Sequence, residues 1–517
     1  MSKPFNVLFI ITDQQRADHN GFMGNPILRT PNLDAIAASG MTFDNAWVSN
    51  PVCMPNRATI MTGRMPSAHG VIFNDRSLDW NANTFVRRFR NSGYRTGLLG
   101  KSHLQHGMSK NSIVPFRGES SGKASYPDGW DQWEDFECYQ DKNFADPEDF
   151  YGFDHIELSI DHGARMSGHH LNWALGKGGN YEELVIDLDG EMPGTNQSEH
   201  WRQIYRPPYD AELHSTSFVT ERTMAFIDDA ESEDKPWLAW CSFPDPHHPM
   251  TPPGKWFDLY DPDDMELPAS RLDNLESAPE HLKIFSKIHP REQRNWVAPC
   301  GFGGDPLLRE AIAATYGMIS MIDNGVGRIL QHLEENNLHD NTIIVFTSDH
   351  GDMMGDHSLF LKGFMHYRGT LQVPLVIDTP RLSPGQTSSL ASSIDLGPTL
   401  MDLCDIDAYD GIQGKSLRPI VENSNIHVRD SILIEDDVPL ITSKLTPIPA
   451  RTRTLLMEEF RFSRNTKGEE QLFDLSNDHD EMTNIVDQSD LRARMLTSLS
   501  DAMMLADDSS RGAPSTH

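Results

Sequence analysis

Five short apolar runs constrain the fold more than any other feature of this chain. Residues 7–12, 96–100, 237–243, 342–347 and 373–377 are β-rich and apolar without alternation, the pattern of strands buried on both faces. Helical patterns separate them at 32–39, 56–63, 84–92, 217–230 and 310–335. The fourth opens on Ser217, with Ser and Thr at its start, residue types that cap helix starts. Strand and helix in alternation predict an α/β fold: a large mixed, mostly parallel sheet sandwiched by helices.

At 517 residues the chain exceeds one ordinary core, and two stretches break its rhythm. Residues 105–215 carry Trp130, Trp133, Tyr139, Tyr151, Trp173, Trp201 and Tyr205 with little periodicity. Long irregular stretches in compact domains tend to be functional, so this insertion is expected to wall the substrate side; an aromatic satellite core or an oligomer contact explains it equally well. After Gly411 to Gly414 and the Arg418-Pro419 turn, residues 421–517 are expected to form a smaller α+β domain. Residues 1–420 then make the main unit. The polar end, 507–517, is expected to be mobile unless a neighbouring subunit holds it.

Forty-four Lys and Arg against 76 Asp and Glu give a net charge of -32, which argues against nucleic acid or an anionic membrane as partner. An anionic substrate would need a local excess of cations. The five cysteines, at 53, 138, 241, 300 and 404, are scattered and lack C-x-x-C pairs, which fits reduced, cytoplasmic usage. The run from Phe5 to Thr12 has no basic flank or cleavage site and reads as a first strand, not a signal peptide. No apolar stretch approaches the roughly 20 residues of a membrane span.

Polar residues follow the strands in a regular way. Asp13-Gln14, Lys101 with His103, His247-His248 and Asp349-His350 each fall just past an apolar run. In open α/β sheets that carboxyl edge is where ligands bind. Any one of them alone would read as a loop residue. Asp13 with Asp349-His350-Gly351-Asp352 suits a hard cation such as Ca²⁺, Mg²⁺ or Mn²⁺, although a single Asp-rich loop in so acidic a chain is ordinarily just solvated. A lone cysteine such as Cys53 is ordinarily a small buried hydrophobe.

The run Cys53-Met54-Pro55-Asn56-Arg57, continued by Thr62-Gly63-Arg64, resembles the signature of the type I sulfatases of the alkaline phosphatase superfamily. Five further stretches are similar to that family's motifs: Asp13-Gln14, Gly100-Lys101-Ser102-His103, Pro246-His247-His248-Pro249, Ser348-Asp349-His350-Gly351 and Asp356 to Lys362. Leu472-Phe473-Asp474-Leu475 looks like its C-terminal stretch. The likeness covers about the first 370 residues plus that C-terminal trace.

The resemblance implies that a formylglycine-generating maturation enzyme oxidises Cys53 to the aldehyde formylglycine, whose hydrate is the nucleophile. It implies one divalent metal, Ca²⁺ ahead of Mn²⁺, on Asp13, Gln14, residue 53, Asp349 and His350. Arg57 would hold the ionised hydrate, Lys101 and Lys362 the sulfate oxygens, and His247 would protonate the leaving alcohol, with His248 as a rival. His103 would take the proton from the second hydroxyl, so that sulfate leaves and the aldehyde returns. Asn74 aligns with a pocket amide of the related phosphonate monoester hydrolases, although Asn-Asp is equally a plain turn. Gln14 and His350 depart from the commoner Asp and Asn; they look like that branch and favour Mn²⁺ more than an all-oxygen set would. Lys101 and His103 are the sulfatase-like choice. The implied activity is hydrolysis of small aryl or alkyl sulfates by a homo-oligomer, dimer or tetramer. Hydrolysis of phosphonate monoesters or phosphate diesters is the alternative. A noncatalytic metal-binding protein with unmodified Cys53 is the alternative of another class.

Overall fold

The computed structural model describes residues 4–107, 129–140, 145–160, 162, 166–185, 194–292 and 299–507. The polar end beyond 507 and parts of the 105–215 insertion lie outside these residues. Nine strands form one sheet: β1 (Asn6–Thr12), β2 (Met41–Phe43), β3 (Arg95–Gly100), β4 (His155–Ile160), β5 (Ser167–Gly168), β6 (Trp237–Ser242), β7 (Thr342–Ser348), β8 (Leu375–Asp378) and β9 (Gly385–Thr387). Their order is β9-β2-β8-β7-β1-β6-β3-β4-β5. Only β8 and the edge strand β5 run against the rest. The run at 373–377 is thus a strand as expected, but an antiparallel one, because burial on both faces gives either direction the same composition.

Alternate side chains of a strand point to opposite faces, and β1 shows what that achieves here. Val7, Phe9 and Ile11 enter one core with Leu98, Trp240 and Val345, while Leu8 and Ile10 enter another with Leu99, Cys241 and Phe346. Helices α1 (Pro31–Ser39), α5 (Ser215–Ser232) and the 31-residue α6 (Asp305–Glu335) cover the second face. Helices α2 (Cys53–Thr62), α3 (Phe85–Asn91) and α7 (Leu396–Leu403) cover the first. The hydroxyl-rich start of α5 is not its cap: the His214 ring accepts the Thr216 N–H at 3.2 Å instead.

The insertion carries regular structure of its own. It adds β4 in parallel to β3, then β5 and helix α4 (His169–Gly176). Of its aromatics, Tyr151 is buried in the main core, and Trp201 joins a satellite core on α6.

A four-stranded antiparallel sheet follows: β10 (Ile432–Asp437), β11 (Arg451–Leu456), β12 (Phe460–Asn465) and β13 (Glu470–Asp474). Leu472 turns to helix α8 (Ser489–Leu505), and its neighbour Phe473 joins the core of the large domain. Strand β10 also reaches the other sheet's ligand edge. Glu435 N–H bonds to Ser49 O at 2.9 Å, and Asp436 accepts the Phe364 N–H at 3.0 Å. Among the described residues, no helix is long and apolar enough to cross a membrane.

His170 on α4 is buried, its Nε2 facing Leu213 O at 2.8 Å and its Nδ1 facing Ser159 Oγ at 3.3 Å. Burial pushes its pKa down to about 4, below the unfolded value of about 6.5. The unfolded chain therefore takes a proton that the folded chain refuses, so this contribution is whole above pH 6.5 and lost as pH falls toward 4. His170→Gln is expected to flatten the stability-against-pH slope in that window, measured by urea unfolding at stepped pH; an unchanged slope would refute the assignment.

Candidate active site

Four adjacent parallel strands, in the order β7, β1, β6 and β3, end side by side and deliver Asp349, Asp13, Ser242 and Lys101 to one edge. Backbone bonds keep the ends in register: Asp349 N–H to Thr12 O at 3.1 Å, Asp13 N–H to Asp245 O at 3.2 Å, and Lys101 N–H to Ser242 O at 2.9 Å. Gly100 makes the last one possible. Its φ is +109°, and a Cβ there would stand 1.9 Å from Ser242 O, a contact only glycine avoids.

Helix α2 begins at Cys53, three residues earlier than its sequence pattern suggests, because Pro55 falls in the first turn where a missing N–H costs nothing. All ten of its residues are buried, so its polar side chains must be satisfied by protein. Arg57 Nε donates to Asp349 Oδ2 at 2.7 Å, and Nη1 donates to Ser242 Oγ at 2.9 Å and Lys101 O at 3.2 Å. Asn56 Nδ2 donates to Asp349 O. Asn74 Oδ1 accepts the Met54 N–H at 3.2 Å, so this amide ties down the helix start beside Cys53.

Cys53 Sγ lies 2.9 Å from Lys362 Nζ, 3.0 Å from His350 Nε2 and 3.7 Å from Asp13 Oδ1. Burial, and next the Asp13 charge, push the thiol's pKa up, and Lys362 only partly offsets them. An unmodified thiol here is a weak nucleophile.

Ligand atoms of Asp13, Cys53, Asp349 and His350 all lie within 4.8 Å of one another, and the four residues are buried. Gln14 adjoins them: its N–H bonds to Asp349 Oδ1 at 3.1 Å, its side-chain nitrogen reaches Asp352 and His248, and its Oε1 is buried without a hydrogen-bond partner among the described residues. Two enclosed carboxylates, an imidazole nitrogen and an orphaned amide oxygen fit a divalent cation.

Cations and imidazoles line the other side. Lys101 Nζ pairs with Asp13 Oδ2, and Lys362 Nζ stands 3.7 Å from Asp13 Oδ1. Burial opposes the Asp13 charge, yet Lys101 and then Lys362 hold its pKa well below the usual range. The His247 ring stacks on His248 at 4.0 Å, and His248 Nδ1 faces Gln14. Burial, and then Lys101 for His103 and His162 for His247, hold both rings well below the ordinary imidazole value.

The sulfatase family model matches residues 5–406. The chain belongs to the sulfatase family. The model of the N-sulphoglucosamine sulphohydrolase C-terminal region matches residues 355–506. An arylsulfatase of Clostridium perfringens is 30% identical over 95% of this chain and 92% of its own. An uncharacterized sulfatase of Escherichia coli, YidJ, is 28% identical over 97% and 88%. Among solved structures, the phosphonate monoester hydrolase of Agrobacterium radiobacter matches with a TM-score of 0.75 and 25% identity, covering 97% of this chain and 95% of that one.

Every site residue expected from the sequence lies at this edge of the sulfatase, and its insertion adds two that sequence reasoning missed. Glu134, buried, accepts backbone N–H bonds from His103 at 2.7 Å and from Leu104 and Gln105 at 2.9 Å, so it fixes the loop that carries His103. His162 stacks on His247 at 3.7 Å and sits 2.5 Å from Lys101 Nζ. A signal for it existed: Ser-Ile-Asp-His at 159–162 ends a strand just as Thr-Ser-Asp-His does at 347–350.

Arg57→Ala would leave the buried Asp349 charge without its partner, a loss of about 3–5 kcal/mol in stability. The apo protein's urea midpoint reads it, and a change under about 1 kcal/mol would contradict this account. Glu134→Gln keeps the size but weakens the acceptor for three N–H groups, and it is expected to lower kcat by about tenfold with less effect on the urea midpoint.

Proposed function

We propose that this sulfatase hydrolyses sulfate monoesters of phenols or small alcohols with a formylglycine made from Cys53. The observation that carries the reading is the position of Cys53: first residue of a buried helix, between an Asp13-Asp349-His350 cluster and the Lys362 ammonium. The arylsulfatase relative supports the ester class. The positive end of the helix dipole favours an anion there.

A divalent ion, Ca²⁺ or Mn²⁺, held by Asp13, Gln14, Asp349 and His350, would neutralise charge on the ester and on the attacking oxygen. The remaining tasks fall to the chain itself. Lys101 and Lys362 bind nonbridging oxygens and disperse charge as the bond to the leaving group breaks. Arg57, locked on Asp349, keeps residue 53 in register with the strand ends. His247 delivers a proton to the departing alcohol or phenol oxygen. Burial, and then His162, hold its ring well below the ordinary imidazole value, so the incoming anion must favour its protonation. His103, on the loop held by Glu134, takes the proton whose removal lets residue 53 shed sulfate.

A second reading, hydrolysis of phosphonate monoesters or phosphate diesters, is favoured by the Gln14 and His350 pair and by the phosphonate monoester hydrolase neighbour. Comparing kcat/KM on matched nitrophenyl sulfate, phenylphosphonate and phosphate diester decides between them: sulfate is expected to lead, and a phosphonate preference of several orders would sink the sulfate reading. Mass spectrometry of the Cys53 peptide from the native host is expected to show an aldehyde, and Cys53→Ala to lower kcat by about 10³-fold or more. Chelation should abolish turnover and Ca²⁺ or Mn²⁺ restore it; an unmodified thiol together with chelator-resistant turnover would overturn the mechanism.

A further inference from the structure

His162 is an imidazole of this edge that the catalytic scheme above does not use, yet it meets Lys101, Asp13 and two further rings of the site. Nε2 lies 2.5 Å from Lys101 Nζ and 3.4 Å from Asp13 Oδ2. The ring stacks on His247 with a 3.7 Å centroid separation and 20° between planes, and His103 stands edge-on at 6.5 Å.

An ammonium has donors only, so Lys101 Nζ donates both to Asp13 Oδ2 and to His162 Nε2. The Lys101 ammonium therefore bridges two acceptors, Asp13 and His162, and keeps its third N–H for a ligand. Without His162 a four-carbon side chain with full rotamer freedom would be held at one point, and that freedom lowers the effective concentration of the charge at the substrate.

We propose that His162, supplied by the insertion, is a positioning residue that holds the Lys101 ammonium by this contact and aims it at the nonbridging oxygens of the ester. The inference rests on the sulfate-ester reading for its substrate, but the Lys101–His162 coupling is separable from it. It also gives the insertion a part in the chemistry beyond covering the substrate.

The test is a double-mutant cycle on the full, matured protein with nitrophenyl sulfate, using Lys101→Ala, His162→Ala and both together. His162→Ala is expected to lower kcat/KM by about 10- to 100-fold. Lys101→Ala should then cost at least about tenfold less in that background than in wild type, because the pair acts as a unit. Equal costs in the two backgrounds would overturn the proposal. Two further variants separate the hydrogen bond from the stack and serve if the alanine variant folds poorly. His162→Gln keeps an acceptor near Nε2 and is expected to recover about tenfold over alanine, while His162→Phe keeps only the stack and should match alanine. Wild-type rates in the Phe variant would overturn the proposal. If wild type prefers the phosphonate ester, the sulfate reading fails and the cycle is read on that ester. If wild type turns over neither, the functional reading fails, and the cycle is read from calorimetric affinity for inorganic sulfate, where equal losses again overturn the coupling.

Discussion

The Arg57–Asp349 pair is the interaction on which the rest of this site depends. Both side chains are fully buried, and a buried pair of this kind is held less for net stability than for what its geometry fixes. Here it fixes a helix to a sheet. Asp349 directly follows β7, Arg57 lies one turn into α2, and the same guanidinium spans Ser242 on β6 and Lys101 O beyond β3. Three strand ends and the helix that starts with Cys53 are therefore set by one side chain, and Asn56 adds a bond to the Asp349 carbonyl. The positions of Asp13 and Lys101 relative to Cys53 follow from it.

The field of the molecule and the field of the site have opposite demands. A chain of net charge -32 repels anions at long range, though salt screens this beyond about 10 Å. At the sheet edge Lys101, Lys362 and Arg57 face Asp13 and Asp349 at ion-pair distances. These cations balance the carboxylates but leave little excess, so a divalent cation among Asp13, Asp349 and His350 would make the pocket firmly positive. The substitution of His350 for a usual amide matters in this setting. Burial lowers its pKa to about 4, and the ring remains a neutral donor atom that adds no charge of its own.

Strands β1, β3, β6 and β7 were legible in the sequence because burial on both faces leaves a continuous apolar run, and the residues just past them had to share an edge. What composition cannot carry is direction, hence the antiparallel β8. Nor can it carry contacts between segments without periodicity. Glu134 was invisible because its partners are backbone N–H groups, which any sequence offers. His162 was hidden in a stretch without periodicity, although the strand just before it, β4, is a recognisable His-Ile-Glu-Leu-Ser-Ile. Asn74, noted only for its alignment, turned out to hold a helix N–H, a contact that depends on the path of the chain between residues 63 and 74.

The bond from Glu435 N–H to Ser49 O has a consequence in time. Glu435 also accepts the Ser67 N–H at 2.8 Å, so the segment on either side of α2 is closed by a strand encoded about 380 residues later. At roughly 5–20 residues per second, a ribosome needs about 20–80 seconds to reach it. Throughout that interval the nascent segment on either side of α2 lacks the strand that closes it.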